Sequence, residues 1–248
     1  MRAILLAAGL GTRLRPITDA IPKCLVPING KPLIDYWLEQ LTKAGIEKFL
    51  INTHYLHEQV ESYIEQSKFA GMVNLVYEKE LLLTGGTVIA NKDFISDEPF
   101  MLVHADNLSI CDYKDFINAH KNRPANTEIT MMTFTTDDPK SCGVVKIDNS
   151  GIIQEFHEKV QNPPSTTAKG AVYIVVASVI SYMERLKKVK VDFSVDVLPY
   201  YMGRIFTYYN GLYHRDIGNI RSYELAQIET NFLYRKTPCD QETNLQSI

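Results

Sequence analysis

The 248-residue sequence predicts a doubly wound, Rossmann-like α/β fold whose mixed sheet is mostly parallel. Two observations support this prediction. Short continuous apolar runs, typical of strands buried on both faces, alternate with segments of helical periodicity. After Thr127 the pattern changes, and two strand-like runs joined by a turn indicate antiparallel pairing in the second half. Without an internal repeat or a long linker, residues 1–236 are predicted to form one domain, followed by a polar tail at 237–248.

The first half alternates strands and helices. Residues 3–8 form an apolar run that Gly9 ends, which predicts a first strand covered on both faces. Residues 31–44 place their apolar side chains on one helical stripe, and Gly45 supplies a stop. Further strands are predicted at 49–52, 73–77 and 99–104, and a second helix at 56–64.

The second half contains a hairpin. Residues 149–151 read Asn-Ser-Gly, which predicts the turn between two strands at 144–147 and 152–156. The other predicted elements are strands at 129–135 and 172–176, a loop at 162–165 and a closing helix at 220–233.

Composition and charge narrow the class of protein. The formal net charge of −3 provides no global field that would attract nucleic acid or an anionic membrane. The four cysteines lie far apart and form no CxxC pair, which predicts reduced thiols rather than a zinc site. No apolar run is long enough to span a bilayer, and Arg13 and Arg15 follow the N-terminal apolar run where a signal peptide would be cleaved. We therefore expect a cytoplasmic protein without a nucleic-acid or membrane partner.

The loop after the first predicted strand has the composition of an anion site. Gly9 and Gly11 leave the backbone N–H groups uncovered, and the hydroxyl of Thr12 adds a donor. Arg13 supplies a permanent charge whose planar fork matches phosphate oxygens. A polyphosphate is the group that this loop suits best. Taken alone, the two glycines are equally consistent with a tight turn.

Two common phosphate loops do not match this segment. A GxGxxG dinucleotide motif would need glycine at Leu14, which argues against a nicotinamide oxidoreductase, and a P-loop would need GK[ST]. A second cation, Lys23, lies in a segment stiffened by Pro22 and Pro27. Asp106 lies just past the strand predicted at 99–104, where ligands bind in open parallel sheets.

These segments resemble the sugar-1-phosphate nucleotidyltransferase family. Residues 9–18 read GLGTRLRPIT and residues 21–33 read IPKCLVPINGKPL, similar to the family pattern GxGTRLxPLT followed by PKPLxPxxxKP. The remaining motifs follow in order as TGG at 84–86, DN at 106–107, GVV at 143–145, FHEK at 156–159 and DIG at 216–218. This ordered agreement covers about the first 225 residues, which a single motif match could not produce.

The resemblance implies both a fold and an activity. The fold is that of the nucleotide-diphospho-sugar transferases, with a nucleotide-binding half at 1–126 and an antiparallel sugar-phosphate-binding half at 127–236. The activity joins a nucleoside triphosphate to a sugar 1-phosphate, giving a nucleotide sugar and pyrophosphate by in-line attack on the α-phosphorus. Since both reactants are anions, the protein must screen their repulsion and needs no covalent nucleophile.

The resemblance assigns five residues to catalysis. Arg13 stabilises the leaving pyrophosphate, and Lys23 contacts the α-phosphate region. Asp106 and Asp216 match the two carboxylate ligands of Mg²⁺, the expected cofactor. Lys159 holds the sugar 1-phosphate.

Other positions contact the substrates by the same resemblance. The triphosphate is wrapped by Gly9, Leu10, Gly11, Thr12 and Arg13, and the base is recognised around Ala7, Ala8, Glu80, Gly85 and Gly86. Glu158 accepts hydrogen bonds from sugar hydroxyls, and Gly143 lets the sugar approach the backbone. The mechanism uses no imidazole, so His104, His157 and His214 are expected to pack or to form hydrogen bonds.

The sequence departs from the family pattern in three places. PKP becomes Pro-Lys-Cys at 22–24, and bulky Leu83 replaces a glycine near the base. Asn-Ala-Gly becomes Lys-Gly-Ala at 169–171, which places an extra cation, Lys169, in the sugar site. Lys169 either contacts an acidic or further phosphorylated sugar or turns outward to solvent.

The segments around Glu80 and at 138–145 resemble the guanylyltransferases that make GDP-mannose or GDP-heptose. GTP and a mannose- or heptose-type 1-phosphate are therefore the favoured substrates. A uridylyl-, thymidylyl- or cytidylyltransferase of the same fold, and a non-catalytic nucleotide-sugar-binding relative, stay open. The oligomeric state is also open, a homo-oligomer included.

Overall fold

The computed structural model describes residues 1–236 and confirms an α/β fold around a mixed, largely parallel sheet. The predicted polar tail at 237–248 lies outside the described residues. Strands from both the first and the second half of the sequence join the same nine-stranded sheet.

The first half contains seven strands and five helices. Its strands are β1 (Ala3–Leu6), β2 (Pro27–Ile28), β3 (Lys31–Pro32), β4 (Phe49–Thr53), β5 (Val73–Tyr77), β6 (Phe100–His104) and β7 (Asn107–Ile110). Its α-helices are α1 (Leu33–Lys43), α2 (His57–Glu65), α3 (Leu83–Ala90), α4 (Lys92–Ile95) and α5 (Tyr113–Lys121). Four 3₁₀ turns complete this half at Thr12–Leu14, Ile17–Asp19, Lys23–Leu25 and Ala70–Met72.

The second half adds the predicted hairpin and several elements that the sequence analysis did not identify. Its strands are β8 (Ile129–Thr135), β9 (Gly143–Ile147), β10 (Ile153–Glu158), β11 (Thr167–Val175), β12 (Ile205–Tyr209) and β13 (Tyr213–Asp216). Its helices are α6 (Ser178–Arg185) and α7 (Ile220–Lys236), with a π turn at Phe193–Val197 and a 3₁₀ turn at Leu198–Tyr201. The missed strands β7, β12 and β13 carry polar or aromatic side chains and lack a continuous apolar run.

The main sheet has a parallel core and an antiparallel extension. Its strand order is β10-β9-β11-β6-β1-β4-β5, and β8 pairs with both β11 and β12. The strands β6, β1, β4 and β5 are parallel, whereas β11 runs antiparallel to β6 and to β8. The carboxyl ends of the parallel strands therefore meet at one edge, where the glycine-rich loop and Asp106 follow β1 and β6.

Alternating residues of β1 supply two separate cores. Ile4 and Leu6 belong to a cluster on one face of the sheet, which α3 and α6 cover with Val88, Val179 and other apolar side chains. Ala3 and Leu5 belong to a second cluster, which includes Trp37 of α1. All four residues of β1 are buried, as expected of a strand covered on both faces.

A two-stranded sheet beside the main sheet brings two segments that are distant in sequence together. In this sheet β7 and β13 are antiparallel, and Asn107 pairs with Asp216. A third apolar cluster, containing Leu14, Leu108 and Ile217, packs at this two-stranded sheet. This pairing places two carboxylates that are far apart in sequence, those of Asp106 and Asp216, side by side.

Within residues 1–236, no helix combines the length and the apolar character needed to cross a bilayer.

Candidate active site

The glycine-rich loop after β1 is held open at its centre. Gly11 has a φ of 65°, and a Cβ there would lie 2.9 Å from Cγ2 of Thr18. The Thr18 hydroxyl donates a hydrogen bond of 2.7 Å to the carbonyl of Gly11. Across the described residues, the N–H groups of Gly9, Leu10 and Gly11 form no hydrogen bond. The loop therefore presents backbone donors of the kind that bind phosphate oxygens.

Lys23 is a buried cation between two carboxylates. Its side chain is only 7% exposed, and its Nζ lies 2.8 Å from Oδ2 of Asp106 and 3.8 Å from Oδ1 of Asp216. The lysine begins a 3₁₀ turn that follows the extended Pro22. Because a buried ammonium requires a counter-charge, these contacts fix the position of Lys23.

The pKa values of the two aspartates are shifted in opposite directions. Burial raises the pKa of Asp106, but the charge and hydrogen bond of Lys23, together with His104, hold that pKa below its ordinary value. Burial and the neighbouring Asp106 carboxylate raise the pKa of Asp216 in spite of Lys23. A further positive charge between the carboxylates would relieve this repulsion.

The donor set fits a magnesium ion that is shared with substrate. Among the residues that the structure describes, no group of three or more His, Cys, Asp or Glu side chains could hold a metal by itself. Mg²⁺ commonly binds through one or two carboxylates, with phosphate oxygens and water completing its shell. Asp106 and Asp216 face a common point, marked by Lys23 Nζ, and supply that number of carboxylates.

Arg13 and Arg221 line a cleft of about 660 Å³ that also contains Asp216. No hydrogen bond or ion pair joins either arginine to another residue in the described part of the chain. Arg215, which also lines the cleft, is instead held by Glu229 through contacts of 2.7 and 2.8 Å. The sequence analysis missed Arg221 because the family pattern does not place a cation there.

A buried polar network connects Ala7, one of the residues predicted to contact the base, with the start of α3. Asn52 Oδ1 accepts a hydrogen bond of 2.8 Å from the N–H of Ala7, and its Nδ2 donates to Glu78 Oε1 over 3.0 Å. Glu78 also accepts from the hydroxyl of Thr87 and from the N–H of Leu82. This network, which the sequence analysis missed, ties the end of β1 to the start of α3. The sequence does contain an indication of this network, because Asn52 and Glu78 are polar residues at the carboxyl ends of parallel strands.

The glycines of α3 have a structural role of their own. The N–H groups of Gly85 and Gly86 both donate to the carbonyl of Val191, over 2.8 and 3.1 Å. A Cβ on Gly85 would lie 2.7 Å from Cγ1 of Val191, so this segment packs too closely for a side chain. Glu80 is exposed and Ala8 is buried. Contacts of these residues and Ala7 with a base stay a prediction.

On the sugar side, Lys169 points into the protein. Its Nζ lies 2.8 Å from Oε2 of Glu158 and donates a hydrogen bond of 2.6 Å to the hydroxyl of Ser194. The expectation that this lysine turns outward to solvent is therefore wrong, and its contact with an acidic or further phosphorylated sugar stays a prediction. Lys169 directly precedes an irregularity in β11, where the register shifts between Lys169 and Tyr173 and Ala171 has a φ of 50°.

Gly143 and Lys159 lie beside this pair. A Cβ on Gly143 would lie 2.6 Å from Oε2 of Glu158 and 2.9 Å from Cε of Lys169, so side chains of the protein occupy this space. Lys159 is 59% exposed, and its Nζ lies 4.0 Å from Oε1 of Glu158. Its charge also acts on Asp216, as does that of Arg13. The contacts of both residues with a sugar phosphate stay predictions.

The three histidines are engaged in packing or hydrogen bonding. Burial lowers the pKa of His214 to about 3, and burial also lowers the pKa of His104. His157 Nε2 lies 2.8 Å from Oε2 of Glu155. These surroundings agree with the expectation that His104 and His214 are neutral packing residues.

The structure thus brings Arg13, Lys23, Asp106, Lys159 and Asp216 together, since the charges of the first four all act on Asp216.

A comparison with family models identifies the family of this chain. The model described as "Nucleotidyl transferase" matches residues 2–231. The chain belongs to the nucleotidyl transferase family. The resemblance drawn from its motifs is therefore confirmed.

This chain is similar to relatives that are named for the transfer of different nucleotides. It is 32% identical over 198 residues to a UTP–glucose-1-phosphate uridylyltransferase of Synechocystis, covering 74% of this chain and 51% of the relative. It is 28% identical to a mannose-1-phosphate guanyltransferase beta-B of Xenopus laevis, covering 90% of this chain and 62% of the relative. The chain therefore spans about half to three-fifths of the length of these relatives.

A solved structure shares the complete fold. HddC from Yersinia pseudotuberculosis, crystallised with GMP-PN, superposes with a TM-score of 0.76 at 25% identity. The superposition covers 92% of this chain and 99% of HddC. This agreement confirms the predicted fold class.

Proposed function

We propose that this family member joins a nucleoside triphosphate, GTP by preference, to a mannose- or heptose-type sugar 1-phosphate, releasing pyrophosphate. The observation that carries this proposal is the charge arrangement around Asp216. Two carboxylates face one point, and three cations from separate segments, Arg13, Lys23 and Lys159, act on the same place. Such a site can gather two anionic substrates that would otherwise repel each other.

Each cation has a distinct task in this proposal. Arg13 follows the open glycine loop and is unpaired within the described residues, so it is available to the leaving pyrophosphate. Lys23, fixed by Asp106, directs its charge toward the α-phosphate. Exposed Lys159 is free to bind the phosphate of the sugar. The protein thereby aligns the attacking oxygen with the α-phosphorus and stabilises the charge on the departing group.

Asp106 and Asp216 would hold Mg²⁺. When bound, the ion supplies Lewis-acid polarisation of the phosphate and a template for the two substrates. Besides burial, the neighbouring Asp106 carboxylate raises the pKa of Asp216, and this repulsion supports the proposal because two close carboxylates favour an added cation.

The preference for GTP rests on three observations. The segments around Glu80 and at 138–145 resemble guanylyltransferases. The Xenopus relative is named a guanyltransferase, and HddC was crystallised with GMP-PN. The uridylyltransferase named among the relatives makes UTP the first alternative. A cytoplasmic location, the absence of a nucleic-acid or membrane partner and the single domain at 1–236 stay predictions.

The test measures pyrophosphate release over a grid of GTP, UTP, dTTP, CTP and ATP against mannose, glucose and D-glycero-D-manno-heptose 1-phosphates. We expect the highest rate with GTP and the mannose or heptose compound, and loss of activity when Mg²⁺ is chelated. The matched control is Asp106→Asn, which removes a metal ligand while nearly conserving shape. It should require more Mg²⁺ and should react more slowly.

The outcomes separate the parts of the proposal. Highest turnover with UTP or dTTP would change the assigned base and leave the reaction class intact. No pyrophosphate with any pair would overturn the proposed reaction. Metal dependence identical in Asp106→Asn and the unmodified protein would remove Asp106 from the ligand set.

A further inference from the structure

Lys169 occupies an unusual position for a lysine. Its side chain is 12% exposed, although it lies on a strand that borders the candidate site. The ammonium contacts Oε2 of Glu158 at 2.8 Å and the hydroxyl of Ser194 at 2.6 Å, and it lies 5.0 Å from the centre of the Phe156 ring. The ammonium is therefore balanced by a carboxylate and enclosed by a hydroxyl and an aromatic ring of the protein itself.

The partners of Lys169 are themselves held in place. Ser194 lies in the π turn that Asp192 caps, since Asp192 Oδ1 accepts from the N–H groups of Ser194 and Val195. Thr84 also holds this turn in place, because its hydroxyl accepts a hydrogen bond of 2.7 Å from the N–H of Phe193. The ammonium therefore bridges a rigid turn on one side and Glu158 on the other.

This bridge determines which part of Glu158 faces a substrate. Oε2 is fully buried against Lys169, while the Glu158 side chain as a whole stays one-third exposed. The second oxygen, Oε1, lies 4.0 Å from the exposed Nζ of Lys159. Oε1 is thus the oxygen left to accept a hydrogen bond, whereas the charge of Lys169 is used within the protein.

We infer that Lys169 is a positioning residue that presents Glu158 Oε1 to a hydroxyl of the sugar, and that this sugar carries no acidic group there. The inference rests on the proposed transferase function. An acidic substituent would meet the carboxylate of Glu158, which already balances the charge of Lys169, whereas a neutral hydroxyl can donate to Oε1. The substrate class is therefore a neutral, hydroxylated sugar 1-phosphate.

The test compares the unmodified protein with Lys169→Met, Lys169→Arg and Ser194→Ala. The neutral probes are mannose and glucose 1-phosphate, and the acidic probes are glucuronic acid 1-phosphate and glucose 1,6-bisphosphate. We expect the unmodified protein to use the neutral probes with a kcat/KM at least about tenfold higher. Lys169→Met should raise KM for the neutral probe by about tenfold or more and change KM for the nucleotide by less than about twofold.

The matched control is Lys146→Met, on strand β9, which pairs with the strand β10 that carries Glu158. Lys146 also pairs with a glutamate, Glu155, at 3.0 Å, but both side chains are 47% exposed and should contribute little. Lys169→Arg should recover part of the lost affinity because it keeps the charge. Ser194→Ala should raise the same KM by about threefold, and it serves as the test if Lys169→Met fails to fold.

Two results would overturn the inference while leaving the proposed function standing. One is a preference of the unmodified protein for an acidic probe that Lys169→Met abolishes. The other is an active Lys169→Met variant whose constants match those of Lys146→Met. Absence of pyrophosphate with every pair, in the unmodified protein, would instead overturn the proposed function and this inference with it.

Discussion

At the scale of single residues, the cations of the site divide into two groups. Lys23 and Lys169 are buried and paired with carboxylates, so they shape the site and hold other groups in position. Arg13 and Arg221 line the cleft without ion pairs in the described part of the chain, and Lys159 is largely exposed. The second group is the one available to anionic substrates.

Arg13→Ala is the direct test of this second group. Removing one preorganised charge that stabilises the leaving pyrophosphate should lower kcat/KM by about two to three decades. Steady-state pyrophosphate release measures the loss, with circular dichroism confirming the fold.

The control for Arg13→Ala lies two residues away. Arg15 forms an exposed pair with Asp19 at 3.1 Å and does not line the cleft, so Arg15→Ala should change kcat/KM by less than about threefold. Equal effects of the two substitutions would remove the special role of Arg13.

At the scale of elements, the glycine-rich loop depends on one backbone conformation. Gly11 adopts a left-handed φ, and the side chain of buried Thr18 fills the space beside it. Thr18 in turn donates its hydroxyl to the Gly11 carbonyl. The loop and the 3₁₀ turn at Ile17–Asp19 therefore form one packed unit.

Gly11→Ala should be more destabilising than an ordinary substitution at positive φ. The left-handed conformation costs about 1–2 kcal/mol for alanine, and the 2.9 Å approach to Thr18 adds a steric cost of about 1 kcal/mol or more. Gly45→Ala is the control, because Gly45 also has a positive φ, of 94°, but open space around its Cβ position. Urea unfolding measures both free energies, and equal losses would contradict the proposed packing.

The pairing of β7 with β13 has the largest effect on the site. It joins Asn107 to Asp216 and so places the two aspartates next to each other. Both strands are short, and neither shows the apolar alternation that identifies strands in a sequence. The motifs predicted that Asp106 and Asp216 act together, whereas the pairing of β7 with β13 shows how the fold places them side by side.

At the scale of the whole molecule, the sheet links the two halves of the chain through β11 and β6. The helix α5 lies against the second half of this sheet. There His120 is 2% exposed, and its Nδ1 lies 2.8 Å from the hydroxyl of Thr130 on β8. Burial lowers the pKa of His120 to about 4.

This histidine should make the fold sensitive to acid. Between pH 6.5 and 4 the unfolded chain binds a proton at His120 that the folded chain does not, so stability falls as the pH falls. At pH 4.5 the contribution is about 2 to 3 kcal/mol relative to neutral pH.

His120→Gln keeps a hydrogen-bonding group for Thr130 and removes the titration. Its free energy of unfolding should therefore decline less between pH 7 and pH 4.5 than that of the unmodified protein, by about this amount. Parallel declines in urea unfolding at the two pH values would show that His120 is not responsible.

Long apolar runs made much of the fold predictable. The strands β5 and β8 begin and end at the predicted residues, and β1, β4 and β6 differ from prediction by one or two residues at an end. The strands β1, β4 and β6 are recognisable because burial on both faces demands continuous apolar sequence. The missed strands β7, β12 and β13 carry polar or aromatic side chains, and their pairing depends on neighbours distant in sequence.

The candidate site, like the fold, was predicted only in part from the sequence. Motif order identified the charged residues that the structure gathers around Asp216. It did not identify the Asn52–Glu78 network or Arg221, because these residues lie outside the motifs. It also left the direction of Lys169 open, since the partners that hold this side chain, Glu158 and Ser194, lie elsewhere in the sequence.

The sequence by itself determined the fold class, the family and the chemical character of the phosphate loop, because these follow from local apolar pattern and from residues adjacent in the chain. Only the tertiary structure decided that Lys23 lies between Asp106 and Asp216 and that Lys169 is used to hold Glu158. The physical reason is that an ion pair depends on distance and burial in space, and strand register sets both.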